Sequence, residues 1–509
     1  MPQVSRCICI CRLLQSTDVA RCTSTGRKCE GYTSSGGAFQ VHIWSYSQTP
    51  GPQNAISTLG DLGDSARFLE FYYHCARPAL STSFDKEFWS RIAIQMAHSE
   101  PAVRHALVAL GALCQTEPGD MKHACSRFIT NRDRKVMLSH YNLSIRCLVD
   151  RMRETTYSHE LGLVICLLFV CIEFLQGNYH TGLTHLNNGF RLIAARRRGL
   201  AGYQNQSAGI ASPSGSRSSQ SAIEETVVPI FTRGMAQDLL YGFKAIQDLE
   251  VPSPTPAMYS RTQFQSLSEV QRVYFELRNA TIIHLYMMGR KAIFRQEPSN
   301  DAYNERDNLV ACHRIWYEIM RRFELHHKLS DEESIAASAL KASYHTTLVY
   351  VSCSASVIEK TYDAYLDDFK EIVRSAREVI DLTPPAKSNT AHFTLDIAII
   401  PQLYFVATRC RCPTTRREAV ALLERNPPRE GLWDAQQHVV VSKRAIELEE
   451  AEVDPRTGWP VEATRLWNCI PKAGMDHNGG FWVAFIPARW IGILNADGTQ
   501  KTMYEYFVL

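Results

Sequence analysis

The sequence contains none of the short motifs that mark the common catalytic and nucleotide-binding sites. G-x-S-x-G, G-x-x-x-x-G-K-[ST], H-E-x-x-H and G-x-G-x-x-G are all absent. Long apolar runs are also missing. The best membrane candidate, residues 161–172, is twelve residues long and is followed by Glu173, whereas a helix needs about 20 apolar residues to cross a bilayer. We therefore predict a protein that is not an enzyme and does not span a membrane.

Two arrangements of histidine keep an enzyme open as an alternative. His327 and Asp331 form H-x3-D, the pattern in which some acyltransferases place a general base on one helix face, although a solvated helix end is more typical of so polar a stretch. His180 and His185 are five residues apart, which turns them onto different faces of a helix and argues against joint metal binding. A helical enzyme or small-molecule binder is therefore our third hypothesis.

Cysteine and net charge are both low. Sixteen cysteines in 509 residues are too sparse and irregular for a disulfide scaffold, so we expect buried free thiols and an intracellular protein. The formal net charge is +3, and residues 1–50 account for it with five basic and two acidic residues. Any attraction to phosphate is therefore concentrated at the N-terminus, where a short basic tail is the alternative.

The rest of the chain predicts a linker and a large helical body. Residues 33–60 are rich in Ser, Gly, Pro, Gln and Thr, which is typical of a flexible linker. In residues 61–509 apolar residues recur at spacings of three and four, and no repeat of fixed period is visible. Residues 201–222 have the composition of a disordered surface loop. We predict an all-α fold with residues 161–175 at its centre.

Local signals predict where several elements begin and end. A first helix should stop before Pro78, and Asp85 should cap the next one. Three arginines at 196–198 and Gly199 favour the capped end of a helix over a nucleic-acid patch or nuclear-import signal. Met475 begins a turn, and we expect the aromatic residues after it in the core: Phe481, Trp482, Phe485 and Trp490.

The most informative stretch is Cys22 to Tyr32, which has the sequence C-T-S-T-G-R-K-C-E-G-Y. Its two cysteines lie outside any apolar pattern and enclose a Gly-Arg-Lys triplet. A loop that contains glycine lets the chain fold back, so that two thiolates at such a spacing can share a zinc ion. An exposed basic loop with two incidental thiols is the alternative on spacing alone.

Cys22 to Tyr32 resembles the second half of the fungal binuclear zinc cluster, the DNA-binding module of fungal transcription regulators. That family has the pattern C-x2-C-x6-C twice, and six cysteines bind two zinc ions. Cys22 and Cys29 match its fifth and sixth ligands. The resemblance implies that these two cysteines bind Zn²⁺. It also places Arg27 and Lys28 where they can contact the phosphates of double-stranded DNA, with solvated loop charges as the alternative.

The resemblance covers only part of residues 1–32. Val19 occupies the position of the fourth ligand, and Cys7, Cys9 and Cys11 replace the expected C-x2-C and its basic helix. As written, the chain should not build the two-zinc cluster. Either the residues before Ala20 do not belong to the natural product, or the cluster has degenerated and its DNA contact is lost or changed. The abrupt start of the match favours the first explanation.

Three stretches of residues 61–509 resemble the helical regulatory domain of the same regulators: F-L-E-F-Y-Y-H-C-A-R-P-A-L from Phe68, I-I-P-Q-L-Y-F-V-A-T-R-C-R from Ile399 and R-E-G-L-W-D from Arg429. They are most similar to the branch that includes regulators of secondary-metabolite gene clusters. The resemblance implies a nuclear regulator of RNA polymerase II genes that binds double-stranded DNA and allows a homodimer. The alternative is a helical co-regulator that has lost its finger and acts through protein contacts.

Overall fold

The structure is a computed structural model that describes residues 62–82, 85–125, 132–206, 226–240, 253–259, 263–383, 391–472 and 474–509. The predicted zinc-cluster region 1–32 and linker 33–60 lie outside the described residues. The α-helices are α1 Ala66–Phe71, α2 Arg77–Leu80, α3 Ala93–Ser99, α4 Pro101–Thr116, α5 Met121–Cys125, α6 Arg132–Arg151, α7 His159–Leu175, α8 Tyr179–Gln206, α9 Val228–Leu240, α10 Pro256–Tyr259, α11 Leu267–Ile293, α12 Asn300–His326, α13 Asp331–Cys353, α14 Leu366–Leu382, α15 Ile400–Arg409, α16 Pro413–Glu424 and α17 Ala435–Glu449. The strands are β1 Phe393–Thr394, β2 Arg429–Glu430, β3 Leu466–Pro471, β4 Gly480–Pro487 and β5 Met503–Val508.

The predicted all-α fold is confirmed for the body, and α7 lies at its centre. Because α7 is apolar nearly all round, it packs against both α4 and α8 and is buried from Leu161 to Leu175 with the exception of Cys166. A second apolar cluster lies between α11, α12 and α13. There the ring of Trp316 packs against that of Tyr274, with 4.6 Å between centroids.

A three-stranded antiparallel sheet at the C-terminus was missed by the sequence analysis. β4 pairs with β3 on one side and with β5 on the other. Its residues are apolar almost throughout, so they lack the alternation that marks a strand with one wet face. The predicted turn after Met475 is confirmed, as the Gly479 N–H donates to the Asp476 carbonyl at 3.1 Å. Phe481 and Phe485 are in the core as predicted, but Trp482 is 52% exposed and Trp490 is only half-buried.

Three predicted boundaries were wrong. The first helical segment continues past Pro78 to Leu80, because a π-helical turn at Tyr72–Ala76 places this proline in the first turn of α2, where its missing N–H is not needed. Helix α8 continues past Gly199 to Gln206, so residues 201–206 of the predicted loop are helical and 207–222 lie outside the described residues. Asp85 is no cap, because its carboxylate is buried in an ion-pair cluster.

Candidate functional site

The sequence-predicted site residues cannot be placed by this structure. Cys22, Arg27, Lys28 and Cys29 lie outside the described residues, so zinc and DNA binding stay predictions. Within the described ranges there is no group of three or more His, Cys, Asp or Glu side chains that could hold a metal ion. In the same ranges no helix is both long and apolar enough to cross a membrane.

The histidine pairs do not assemble into a catalytic or metal site. His327 follows α12 and Asp331 begins α13, so the two residues are not on one helix. The His327 ring stacks on Phe323 with 4.2 Å between centroids. His185 is buried and hydrogen-bonds to the Tyr141 hydroxyl at 3.3 Å, whereas His180 is exposed. The prediction that His180 and His185 face different directions is confirmed.

The stretches that carry the family resemblance tie distant helices together. Arg429 is buried and donates to the Phe174 carbonyl at the end of α7 at 2.6 Å. Asp434 caps α17 through the Gln437 N–H at 3.0 Å and also accepts the Met121 N–H at 2.9 Å. These contacts fix the C-terminal half of the body against the N-terminal helices, which is a structural role.

A cavity of about 820 Å³ lies between these two halves. Ile335, Ala339 and Ser343 recur every four residues on α13, so they present one face to it, and Gln271 and Phe275 do the same on α11. The end of α14, residues 391–399, residues 425–430 and the segment around α2 complete the wall. The volume lies within the range of about 300–1,000 Å³ that small-molecule sites occupy.

Glu430 holds one wall of this cavity in place. Its buried carboxylate accepts the N–H groups of Ala398, Ile399 and Ile400 at 2.9, 2.9 and 3.1 Å, at the start of α15. Burial raises the pKa of Glu430 to about 7, against the opposing effect of these hydrogen bonds. By accepting these three hydrogen bonds, the carboxylate provides partners for N–H groups at the start of α15 that have none within the helix.

A buried cluster of charges lies beside the cavity. Arg233 on α9 approaches Asp85, with 3.7 Å from Nη2 to Oδ2, and Nε donates to Asp396 Oδ1 at 3.0 Å. Burial raises the pKa of Asp85 to about 6, although Arg233 works to lower it. Asp396 also lines the cavity, so this cluster joins the N-terminal helices to the cavity wall.

We expect Asp85 to make the stability of the protein depend on pH. Its pKa in the folded state is above its ordinary value of 3.8. The protonated form of Asp85 therefore adds to the free energy of unfolding below about pH 4, and this contribution is lost as pH rises through about 6. Asp85→Asn keeps the Oδ1 acceptor for the Thr82 N–H but does not titrate. Relative to wild type it should gain up to about 3 kcal/mol in unfolding free energy between pH 4 and pH 7.

Urea unfolding of both proteins at the two pH values measures this difference. Asp307→Asn is the control, because Asp307 is 67% exposed, and its effect should change by less than about 0.5 kcal/mol with pH. An Asp85→Asn effect that is equal at pH 4 and pH 7 would contradict the assignment.

The cysteines in the described ranges are free thiols, as predicted. Several are fully inside the core, and burial raises the pKa of Cys114 to about 12. A thiol in such surroundings is chemically inert, because the thiolate is the reactive form. These cysteines therefore contribute to packing.

Sequence reasoning missed the residues around the cavity. Gln271 stands at a core position of α11 between Val270 and Tyr274, and a polar residue inside an apolar pattern was the available signal. Nothing in the sequence indicates that Gln271 lines one cavity together with Ser343 and residues 391–399, because these segments are far apart along the chain.

Comparison with known proteins supports a fungal transcription regulator. Residues 67–231 match the family model described as the fungal specific transcription factor domain. The chain is also similar to the aspercryptin biosynthesis cluster-specific transcription regulator of Emericella nidulans. The two are 22% identical over 577 aligned positions, which cover 91% of this chain and 88% of the relative. No solved structure matches the chain. Both findings point to a transcription regulator, a class of protein that is not an enzyme.

Proposed function

We propose that this protein is a zinc-dependent, DNA-binding regulator of RNA polymerase II genes that acts in the nucleus on a secondary-metabolite pathway. The match of residues 67–231 to the fungal specific transcription factor domain carries the proposal. The name of the Emericella nidulans relative, a regulator of one biosynthesis cluster, supports the pathway class. The Gly-Arg-Lys triplet between Cys22 and Cys29 supports DNA binding.

In this proposal the N-terminus contacts DNA and the helical body regulates that contact. Cys22 and Cys29 bind Zn²⁺, which holds the loop between them in one conformation. Arg27 and Lys28 lie on that loop and neutralise phosphates of double-stranded DNA, which positions the protein without reading the sequence. A homodimer sets the spacing of two half-sites.

The zinc assignment predicts that two cysteine variants lose metal and DNA together. Full-length protein made from a native transcript that supplies the missing ligands should hold zinc stoichiometrically. In that protein Cys22→Ser and Cys29→Ser should each lower zinc content and chromatin occupancy at least about tenfold, since removing a ligand opens the site. Elemental analysis and chromatin immunoprecipitation of a tagged protein measure both. The control is Cys147→Ala, a half-buried thiol on α6, which should retain both properties.

The finger-less co-regulator is the second candidate, and Val19 at the fourth ligand position favours it. It predicts zinc-free protein whose promoter occupancy is indifferent to Cys22 and Cys29 and depends on a protein partner. The 5′ sequence of the native transcript distinguishes the two candidates further. A C-x2-C, a Lys/Arg-rich run and a second C-x2-C ending on Cys22 support the zinc-cluster regulator, whereas the sequence from Met1 to Val19 as written supports the co-regulator.

A further inference from the structure

We propose that the cavity between α11, α13 and α14 is a binding site for an uncharged, mainly apolar small molecule with a hydroxyl, carbonyl or amide group. The surface of the cavity is mainly apolar, with contributions from Ile335, Val379 and Pro427. Burial of apolar ligand surface against such walls contributes about 25 cal/mol per Å². The cavity therefore favours a hydrophobic ligand.

An unpartnered amide marks the place where the polar group of that ligand binds. Gln271 lines the cavity and is 5% exposed, yet it has no hydrogen-bond partner among the described residues. The two amide atoms are not sealed inside the core, so they face the cavity, where a ligand can hydrogen-bond to them.

Ser343 on α13 lines the same cavity as Gln271 and adds a second polar group. Its Oγ accepts the Tyr274 hydroxyl at 2.8 Å, so its own hydrogen is available to donate into the cavity. An amide and a hydroxyl that retain hydrogen-bonding capacity on a mainly apolar surface recognise one uncharged polar group and orient the ligand around it.

The charges around the cavity exclude an anion and offer no site for a cation. Four carboxylates line it, and Glu430 is the one among them with no cationic side chain as a partner, so an anionic ligand meets an uncompensated negative charge. Each carboxylate already has partners: Glu332 with Lys86, Asp381 with Arg425, Asp396 with Arg233, and Glu430 with three backbone N–H groups. A cation therefore finds no unpaired carboxylate, and the ligand is neutral.

Nile red, a neutral lipophilic dye with one carbonyl group, tests this proposal with the full-length protein. Its fluorescence should rise and saturate at one dye per chain. The anionic dye 1-anilinonaphthalene-8-sulfonate should bind at least about tenfold more weakly, a difference of about 1.4 kcal/mol. Nile red fluorescence that does not saturate, or equal binding of the two dyes, would overturn the proposal.

Two variants locate the binding site. Ala339→Phe fills the space beside α13 and should weaken Nile red binding at least about tenfold, and Gln271→Leu removes the amide and should weaken it about five- to tenfold. The matched controls Ala421→Phe and Gln265→Leu change exposed residues and should leave affinity unchanged. Circular dichroism checks that each variant is folded.

If Ala339→Phe does not fold, Gln271→Leu decides the question, because glutamine and leucine are similar in volume. Wild-type affinity in folded Gln271→Leu overturns the proposed polar contact, and wild-type affinity in folded Ala339→Phe shows that the dye binds elsewhere. The cavity proposal does not depend on zinc or DNA binding. Failure of the dye-binding test therefore leaves the proposed function unaffected, and a protein without zinc or DNA binding leaves the cavity proposal unaffected.

Discussion

Glu449→Gln is expected to lower the free energy of unfolding by about 3–5 kcal/mol, because it removes one partner from a buried network of ion pairs. Glu449 ends α17 and its side chain is fully inaccessible. One oxygen accepts from Arg411 at 2.7 Å and from the Leu466 N–H at 2.8 Å, and the other accepts from Arg416 at 2.7 Å.

The network explains why the loss should be so large. Arg411 and Arg416 are also fully inaccessible. Without the Glu449 charge, Arg411 keeps only Glu359 at 3.1 Å and Arg416 only Glu450 at 3.8 Å, so two buried cations lose their best partner. Burial acts to raise the pKa of Glu449, but the two arginines outweigh it and the pKa is lowered. A charged carboxylate at the negative end of a helix is otherwise unfavourable, which shows that the arginines hold it there.

Urea denaturation of wild type and variant measures the effect as a change in the midpoint at constant slope. Glu447→Gln is the matched control, since Glu447 lies on the same helix, pairs with Arg444 and is 64% exposed. It should cost less than about 0.5 kcal/mol. A loss below about 1 kcal/mol for Glu449→Gln would contradict the view that this network holds β3 against α17.

The helices could be predicted from the sequence because each buries one continuous apolar face. Val103, Ala106, Leu107 and Leu110 of α4 recur at helical spacing, and all are buried. The buried charges could not be predicted in this way. Asp85 has the sequence context of a helix cap, and only the position of Arg233, far along the chain, shows that it pairs inside the body.

The candidate site was less predictable than the fold, for the same physical reason. Arg409 and Arg411 belong to a stretch that resembles the family, and they act in the buried network, where Arg409 donates to Glu359 at 2.7 Å. The cavity is made of side chains from several segments that the sequence does not connect. The prediction that Cys22 and Cys29 bind zinc, by contrast, depends on a local sequence pattern and on no tertiary contact.

Gly111→Ala is the second change with a large expected effect. It should lower the free energy of unfolding, whereas the same change at Gly289 should raise it. Gly111 is in the middle of α4, where a Cβ would lie 2.1 Å from the Phe68 carbonyl oxygen and 3.2 Å from the Tyr72 Cβ. The nearest atom belongs to the backbone and cannot turn aside, so the two helical segments must separate. We expect a loss of about 1–3 kcal/mol or more in unfolding free energy.

Gly289→Ala separates this steric effect from helix propensity. Gly289 lies in α11, and a Cβ there would meet nothing within 4 Å. Alanine should therefore stabilise the protein by about 0.5–1 kcal/mol, because it loses less backbone entropy than glycine when the helix forms. Thermal or urea unfolding of both variants measures the pair. If Gly111→Ala also stabilised the protein, α4 and the segment around Phe68 would not pack as closely as the structure shows, and the close contact between them would have to be abandoned.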